Sequence, residues 1–225
     1  ITALRVDDKY PAYVILDNRT ESGKTFKKLV QSFPGYKIRV TSQTKDENMA
    51  VVWVSSDIDA GNFYLFNKKA NKLQLLFRNN GHLKSEWLAT SEAIEFKARD
   101  GQLIHGYISY PKKKVKGGFP LITLVHGGPH GIRDYWSYDS EVQMLANQGY
   151  AVLRINYRGS KGYGTEFREA GFEHWGDLIQ HDIIDGTRWA MQQPDINSEK
   201  VCIMGGSFGA YSAMQSAILE PDLFK

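Results

Sequence analysis

The chain is 225 residues long, enough for one large or two modest domains. Hydrophobic residues make up 42% and charged residues 24%, an ordinary globular mixture, and a formal net charge of +3 is too small to argue for a nucleic-acid partner. No apolar run approaches the ~20 residues needed to cross a bilayer, so no membrane association is expected. The chain begins at Ile1 without a signal-peptide pattern. The true start is therefore expected upstream, and a cytoplasmic location is expected with periplasmic or secreted placement left open. The basic run Lys112-Lys113-Lys114-Val115-Lys116 lies between Pro111 and Gly117-Gly118 and reads as a solvated loop. Cys202 is the single cysteine, so no internal disulfide can form. It lies in an apolar stretch and is expected to be a small core residue rather than a nucleophile.

Residues 1–90 read as short strands between polar turns. Tyr13–Leu16 and Val51–Val54 are apolar strands, each followed by a glycine and an aromatic-led segment, Gly23 with Phe26 and Gly61 with Phe63–Phe66. The two copies are 38 residues apart, about the spacing of propeller blades. The expectation is the tail of a β-propeller of about two blades, although a β-sandwich fragment would look similar. Phe63–Phe66 and Leu73–Phe77 flank Asn67–Asn71 as a hairpin. Polar residues from Asn79 to Glu86 mark the exit from that domain.

From residue 91 the texture changes to alternating strands and helices, the mark of a parallel α/β sheet. Ile94–Lys97 and Leu103–Tyr110 form a hairpin around Asp100-Gly101. The apolar run Leu121–Val125 leads into His126-Gly127-Gly128-Pro129-His130-Gly131. A helix follows, with Ser140 as N-cap, Gln143 three residues on and Gly149 past its end. Tyr150–Tyr157 is the next strand. The loop Tyr157–Gly164 carries three glycines but neither a Gly-Lys-Ser/Thr ending nor a dinucleotide-binding spacing, so it reads as structural or substrate-adjacent. A helix is predicted from Asp177, its N-cap, to Gln193, with Ile179, Ile183, Gly186 and Ala190 on one apolar face. Asp182, Asp185, His174 and His181 gather there. Capping and solvent roles, with a His181–Asp185 pair four residues apart, are expected of them rather than a triad or metal site.

Val201–Met204 reads as a buried parallel strand and runs into Gly205-Gly206-Ser207-Phe208-Gly209, followed by a helix packed through Ala210, Ala213, Ala217 and Ile218. Strand, sharp turn and helix around Gly-x-Ser-x-Gly make a nucleophile elbow. Ser207 is the candidate nucleophile. The backbone N–H of Phe208, and that of Gly128 in the loop with His126 and Gly127, are the candidate oxyanion donors.

HGGPHG at 126–131, NYRGSKGYG at 156–164 and GGSFGAY at 205–211, in this order, resemble the prolyl oligopeptidase family of serine peptidases, in its acylaminoacyl-peptidase and dipeptidyl aminopeptidase branch. The specific motifs cover residues 91–225. The resemblance implies a catalytic α/β-hydrolase domain, here the N-terminal part of one, preceded by the end of a β-propeller that restricts access to small peptides. It implies that His126 belongs to the oxyanion loop, at a position where some relatives carry Tyr.

All six histidines, from His82 to His181, precede Ser207. In an α/β-hydrolase the acid and the base follow the nucleophile, so both are expected beyond residue 225, and the 225 residues alone are expected to be inactive. His126 is the first alternative base. The function expected is hydrolysis of short peptides through an acyl-enzyme on Ser207, without cofactor or metal, with homo-oligomerisation open. A carboxylesterase or lipase of the same fold and a non-catalytic binding module are the alternatives.

Overall fold

The computed structural model describes residues 2–225. Short alternating segments at the start form an antiparallel hairpin of β1 (Ala3–Asp7) and β2 (Pro11–Ile15), with Ala3 opposite Ile15. Four more strands follow as an antiparallel meander in chain order: β3 (Lys37–Gln43), β4 (Met49–Ser56), β5 (Asp59–Asn67) and β6 (Lys72–Arg78). Alternation along β4 sends Ala50, Val52 and Val54 into a small core, where Val52 and Val54 meet Ile38 and Phe66. The predicted hairpin is β5–β6, with Phe63 opposite Phe77 and their rings stacked at 4.5 Å.

Between the hairpin and the meander the structure departs from the predicted repeat. Gly23 and Phe26 lie in a helix, α1 (Glu21–Ser32), not in a strand. The Thr20 hydroxyl accepts the Gly23 N–H at 3.1 Å and caps it. Phe26, Leu29, Val30 and Phe33 then recur at helical spacing and pack on the meander core. The 38-residue echo therefore pairs a helix with a strand.

The described residues divide into two units. One runs to Trp87 and includes Trp136–Asp139; the other comprises Leu88–Tyr135 and Ser140–Lys225. The second is a mixed α/β unit around a five-stranded sheet. Its hairpin is β7 (Ser91–Lys97) and β8 (Leu103–Ser109), and its parallel strands are β9 (Phe119–Val125), β10 (Ala151–Asn156) and β11 (Ile196–Gly205). The order is β11-β9-β10-β8-β7, with β10 parallel to β9 and antiparallel to β8, and β9 parallel to β11. β9 and β10 are near-continuous apolar runs because both of their faces are covered.

Four helices complete this unit: α2 (Ser140–Asn147), α3 (Thr165–Glu169), α4 (Leu178–Met191) and α5 (Phe208–Leu219). α4 starts at Asp177, whose carboxylate accepts the Leu178 N–H, and buries Ile179, Ile183, Gly186 and Ala190 as its periodicity predicts. Gly186 lets it sit close to the sheet: a Cβ there would lie 2.5 Å from Ile155 Cδ1 and 2.6 Å from Phe96 Cζ. The Thr187 hydroxyl donates to the Ile183 carbonyl and bonds Thr123 of β9 at 2.8 Å. In α2, Gln143 is buried and clasps the backbone of Ala89, accepting its N–H at 2.8 Å and donating to its carbonyl at 2.7 Å.

Two expectations fail at the end of the chain. β11 is an edge strand, so Cys202 is exposed and not a core residue; its thiol donates to the Lys225 carbonyl. α5 buries Phe208, Gly209, Ser212 and Ser216, while Ala217 and Ile218 face solvent. At Gly209 the helix approaches β9 too closely for a Cβ.

Candidate active site

Ser207 stands between β11 and α5 with φ 56° and ψ −123°, a left-handed region costly for any residue with a Cβ, on the order of 1–3 kcal/mol. The turn is tight because glycines flank it. A Cβ on Gly205 would lie 2.5 Å from the Val125 carbonyl oxygen and 2.8 Å from the Gly209 backbone, and one on Gly209 would strike the same Val125 oxygen. The Ser207 side chain does not cap α5, and the residue is exposed. Its hydroxyl is thus presented at a helix N-terminus, where the helix dipole favours developing negative charge.

The loop after β9 lies against this turn. A Cβ on Gly127 would be 3.5 Å from the Gly206 carbonyl oxygen and 3.9 Å from Ser207 Oγ. The absence of a side chain at 127 keeps open the space beside the hydroxyl. Among the described residues, neither the Gly128 N–H nor the Phe208 N–H has a hydrogen-bond partner, which leaves both as donors for a ligand.

His126 is engaged by groups other than Ser207. Its Nδ1 bonds the Gly127 carbonyl at 2.8 Å and its Nε2 meets Ser160 Oγ at 3.2 Å, while its ring stacks on Tyr157 with centroids 4.3 Å apart. These partners fix the tautomer: Nδ1–H donates to the carbonyl, and Nε2 accepts from the Ser160 hydroxyl. Burial holds the imidazole below its ordinary pKa and keeps it neutral. His130 Nε2 accepts the Trp175 indole N–H at 2.9 Å, its ring meets Phe172 edge-on at 4.7 Å, and burial lowers its pKa as well. Among the described residues no side chain hydrogen-bonds Ser207 Oγ.

The loop from Tyr157 to Gly164 is held from below by charge. Arg158 grips Asp182 of α4 through Nε at 2.8 Å and a terminal nitrogen at 2.7 Å, its backbone N–H reaches the same carboxylate at 2.9 Å, and its other terminal nitrogen meets Asp100 at 2.7 Å. Burial alone would lower the Arg158 pKa, but the hydrogen bonds to both carboxylates outweigh it and raise it above the ordinary guanidinium value. Asp182 is thus a fully buried anchor and not a solvated or capping residue. Asp185 does not pair with His181: it accepts from the backbone and guanidinium of Arg99, with 2.7 Å as the shortest contact. His174 lies beside the cap residue Asp177, at 3.0 Å. Among the described residues no group of three His, Cys, Asp or Glu converges as a metal site.

The structure brings Gly127 against the turn that carries Ser207 and Phe208. It leaves His174, His181, Asp182 and Asp185 in other networks. Sequence reasoning missed Tyr157, Ser160 and the aromatic group of Phe172 and Trp175. The one signal pointing to the latter was the pair Phe172 and Trp175, three positions apart; the rings of Trp175 and Tyr211 both lie against the Phe208 ring, with centroids 6.2 and 5.5 Å away.

A strained serine between a parallel strand and a helix, on a mainly parallel sheet, defines an α/β-hydrolase fold. Residues 136–225 match the profile of the prolyl oligopeptidase family. The chain is 34% identical to dipeptidyl aminopeptidase BIII of Pseudoxanthomonas mexicana over 194 residues, 83% of this chain and 28% of that protein. It is 30% identical to dipeptidyl peptidase family member 6 of Caenorhabditis elegans over 217 residues, 87% of this chain and 29% of that protein. The solved acylaminoacyl peptidase of Pyrococcus horikoshii superposes with a TM-score of 0.68 at 27% identity, covering 84% of this chain and 30% of that one. The family match thus covers residues 136–225, and the chain as a whole is similar to the relatives just named. The chain spans less than a third of the length of these relatives.

Proposed function

We propose that this chain contributes the nucleophile and the oxyanion hole of a serine peptidase that hydrolyses short peptides. In the reaction, Ser207 Oγ attacks the carbonyl carbon of the scissile bond while its proton passes to a histidine base outside these 225 residues. The resulting oxyanion accepts hydrogen bonds from the Gly128 and Phe208 N–H groups. Collapse breaks the C–N bond, the amine leaves with a proton from the base, and water then hydrolyses the ester on Ser207. The observation that carries this reading is the backbone of Ser207, strained at φ 56° between two glycines that a Cβ would exclude. The names of the relatives support a peptidase over an esterase. Short substrates fit a propeller, of which the β3–β6 meander has the form of one blade.

A fluorophosphonate should label the full-length protein, and Ser207→Ala should abolish both labelling and cleavage of an aminoacyl nitroanilide. Labelling that survives in the mutant would end the assignment. One observation favours a non-catalytic module, the lack of a base bonded to Ser207 Oγ among the described residues. The same experiment separates that reading, since a module would show neither labelling nor turnover. The 225 residues by themselves should hydrolyse neither the anilide nor a nitrophenyl ester in a Ser207-dependent way. If they do, a base lies within them.

A further inference from the structure

The residue that joins the two halves of the oxyanion hole is Tyr157, at the end of β10 and fully buried. Its hydroxyl donates to the His126 carbonyl at 2.9 Å, with the Gly127 carbonyl also near at 3.3 Å. Its ring stacks on the His126 imidazole at 4.3 Å and touches the Phe208 ring at 5.8 Å. One side chain thus contacts the loop that carries the Gly128 N–H and the residue that carries the Phe208 N–H. Burial raises its pKa, so the hydroxyl stays protonated and remains a donor throughout the working pH range. The His126 ring extends the same bracket to Ser160, which is also fully buried. With both ring nitrogens engaged there, this side chain offers no donor of its own to a substrate oxygen.

We propose that Tyr157 is a positioning residue for the oxyanion hole. It sets the separation of the Gly128 and Phe208 N–H groups by holding the His126-Gly127 carbonyls with its hydroxyl and the Phe208 ring with its face, and it uses the His126–Ser160 contact as a second brace. The inference rests on the reading of Ser207 as nucleophile with these two amides as its donors. Removing one donor outright typically costs about 10²–10³ in kcat, so loosening one should cost less, about tenfold.

The test uses Tyr157→Phe in the full-length protein, which keeps both ring contacts and removes the hydroxyl. Rates are expressed per Ser207 titrated with a fluorophosphonate, so that any misfolded fraction drops out. The expected result is a roughly tenfold lower kcat with KM nearly unchanged. The affinity for a peptide aldehyde, which forms a tetrahedral adduct on Ser207, should fall by the same factor, while that for the peptide acid product holds. Ser160→Ala should shift the same quantities in the same direction by less. A wild-type kcat and aldehyde affinity in Tyr157→Phe, or losses confined to thermal stability, would overturn the positioning role. Were Ser207→Ala to remain active, the reading of the site itself would fail, independently of Tyr157.

Discussion

At the scale of single residues, the geometry around Ser207 rests on groups that lack side chains and on one that has lost its freedom. Gly127 has no Cβ beside the hydroxyl. Gly127→Val should therefore leave the far-ultraviolet spectrum intact and slow fluorophosphonate labelling of Ser207 by more than tenfold, because its methyl groups would fill the space an acyl group must enter. The Arg158–Asp182 pair is a different case. Both side chains are almost completely buried, and each oxygen of the carboxylate is occupied. Removing one partner of such a pair leaves an uncompensated buried charge, at a cost of about 3–5 kcal/mol. Asp182→Ala should lower the unfolding free energy of the second unit in a urea titration by less than that amount, because Arg158 keeps its contact with Asp100, and replacing both Arg158 and Asp182 by apolar residues of similar size should cost less still. The elbow was readable because Gly-x-Ser-x-Gly follows four apolar residues. The buried ion pair was not, because its members are 24 positions apart and only packing brings them together.

At the scale of elements, α4 is held to the sheet by close approach. Exchanging a helical glycine for another residue ordinarily gains up to ~1 kcal/mol of helix propensity. At Gly186 the added atoms would drive into Ile155 and Phe96, and overpacking a core typically costs about 1–3 kcal/mol. Gly186→Val should therefore destabilise the second unit, as measured by its melting temperature, although it sits in a helix. The parallel strands and α4 were legible because their apolar patterns are long and bounded by glycine, proline or a cap. α1 was not, because a glycine three residues past Thr20 and a following phenylalanine imitate a turn and a strand; the Thr20 cap and the later 3.6 periodicity outweigh them. The packed face of α5 was misread because, besides Phe208, its buried residues are Gly209, Ser212 and Ser216, which carry no hydrophobic signal.

At the scale of the whole molecule, the depressed histidines set a dependence on pH. Burial lowers the pKa of His126 and of His130 in the folded chain. The unfolded chain therefore takes up protons at a higher pH than the folded one. By linkage this contribution to stability is full above the ordinary histidine value of about 6.5 and is lost as pH falls toward the folded values. Thermal melts of the second unit should shift to lower temperature between pH 7 and 5, and replacing His126 by Gln should flatten that shift. The edge position of β11, together with Met214 and Ile218 at 64% and 73% exposure, leaves strand and helix surface open to a second copy. The 225 residues alone should self-associate in size-exclusion chromatography, and Met214→Lys with Ile218→Lys should reduce this without changing helix content.

The exposed thiol on that edge strand gives the chain a chemical reporter of its outermost strand. With a single cysteine in 225 residues, alkylation reports one location only, the outermost strand of the five-stranded sheet. Maleimide should react rapidly with Cys202 wherever the β11 edge is bare. It should slow in any longer chain or assembly that lays a further strand beside the nucleophile, so the rate of one chemical modification would tell a finished sheet from an open one before any substrate is added.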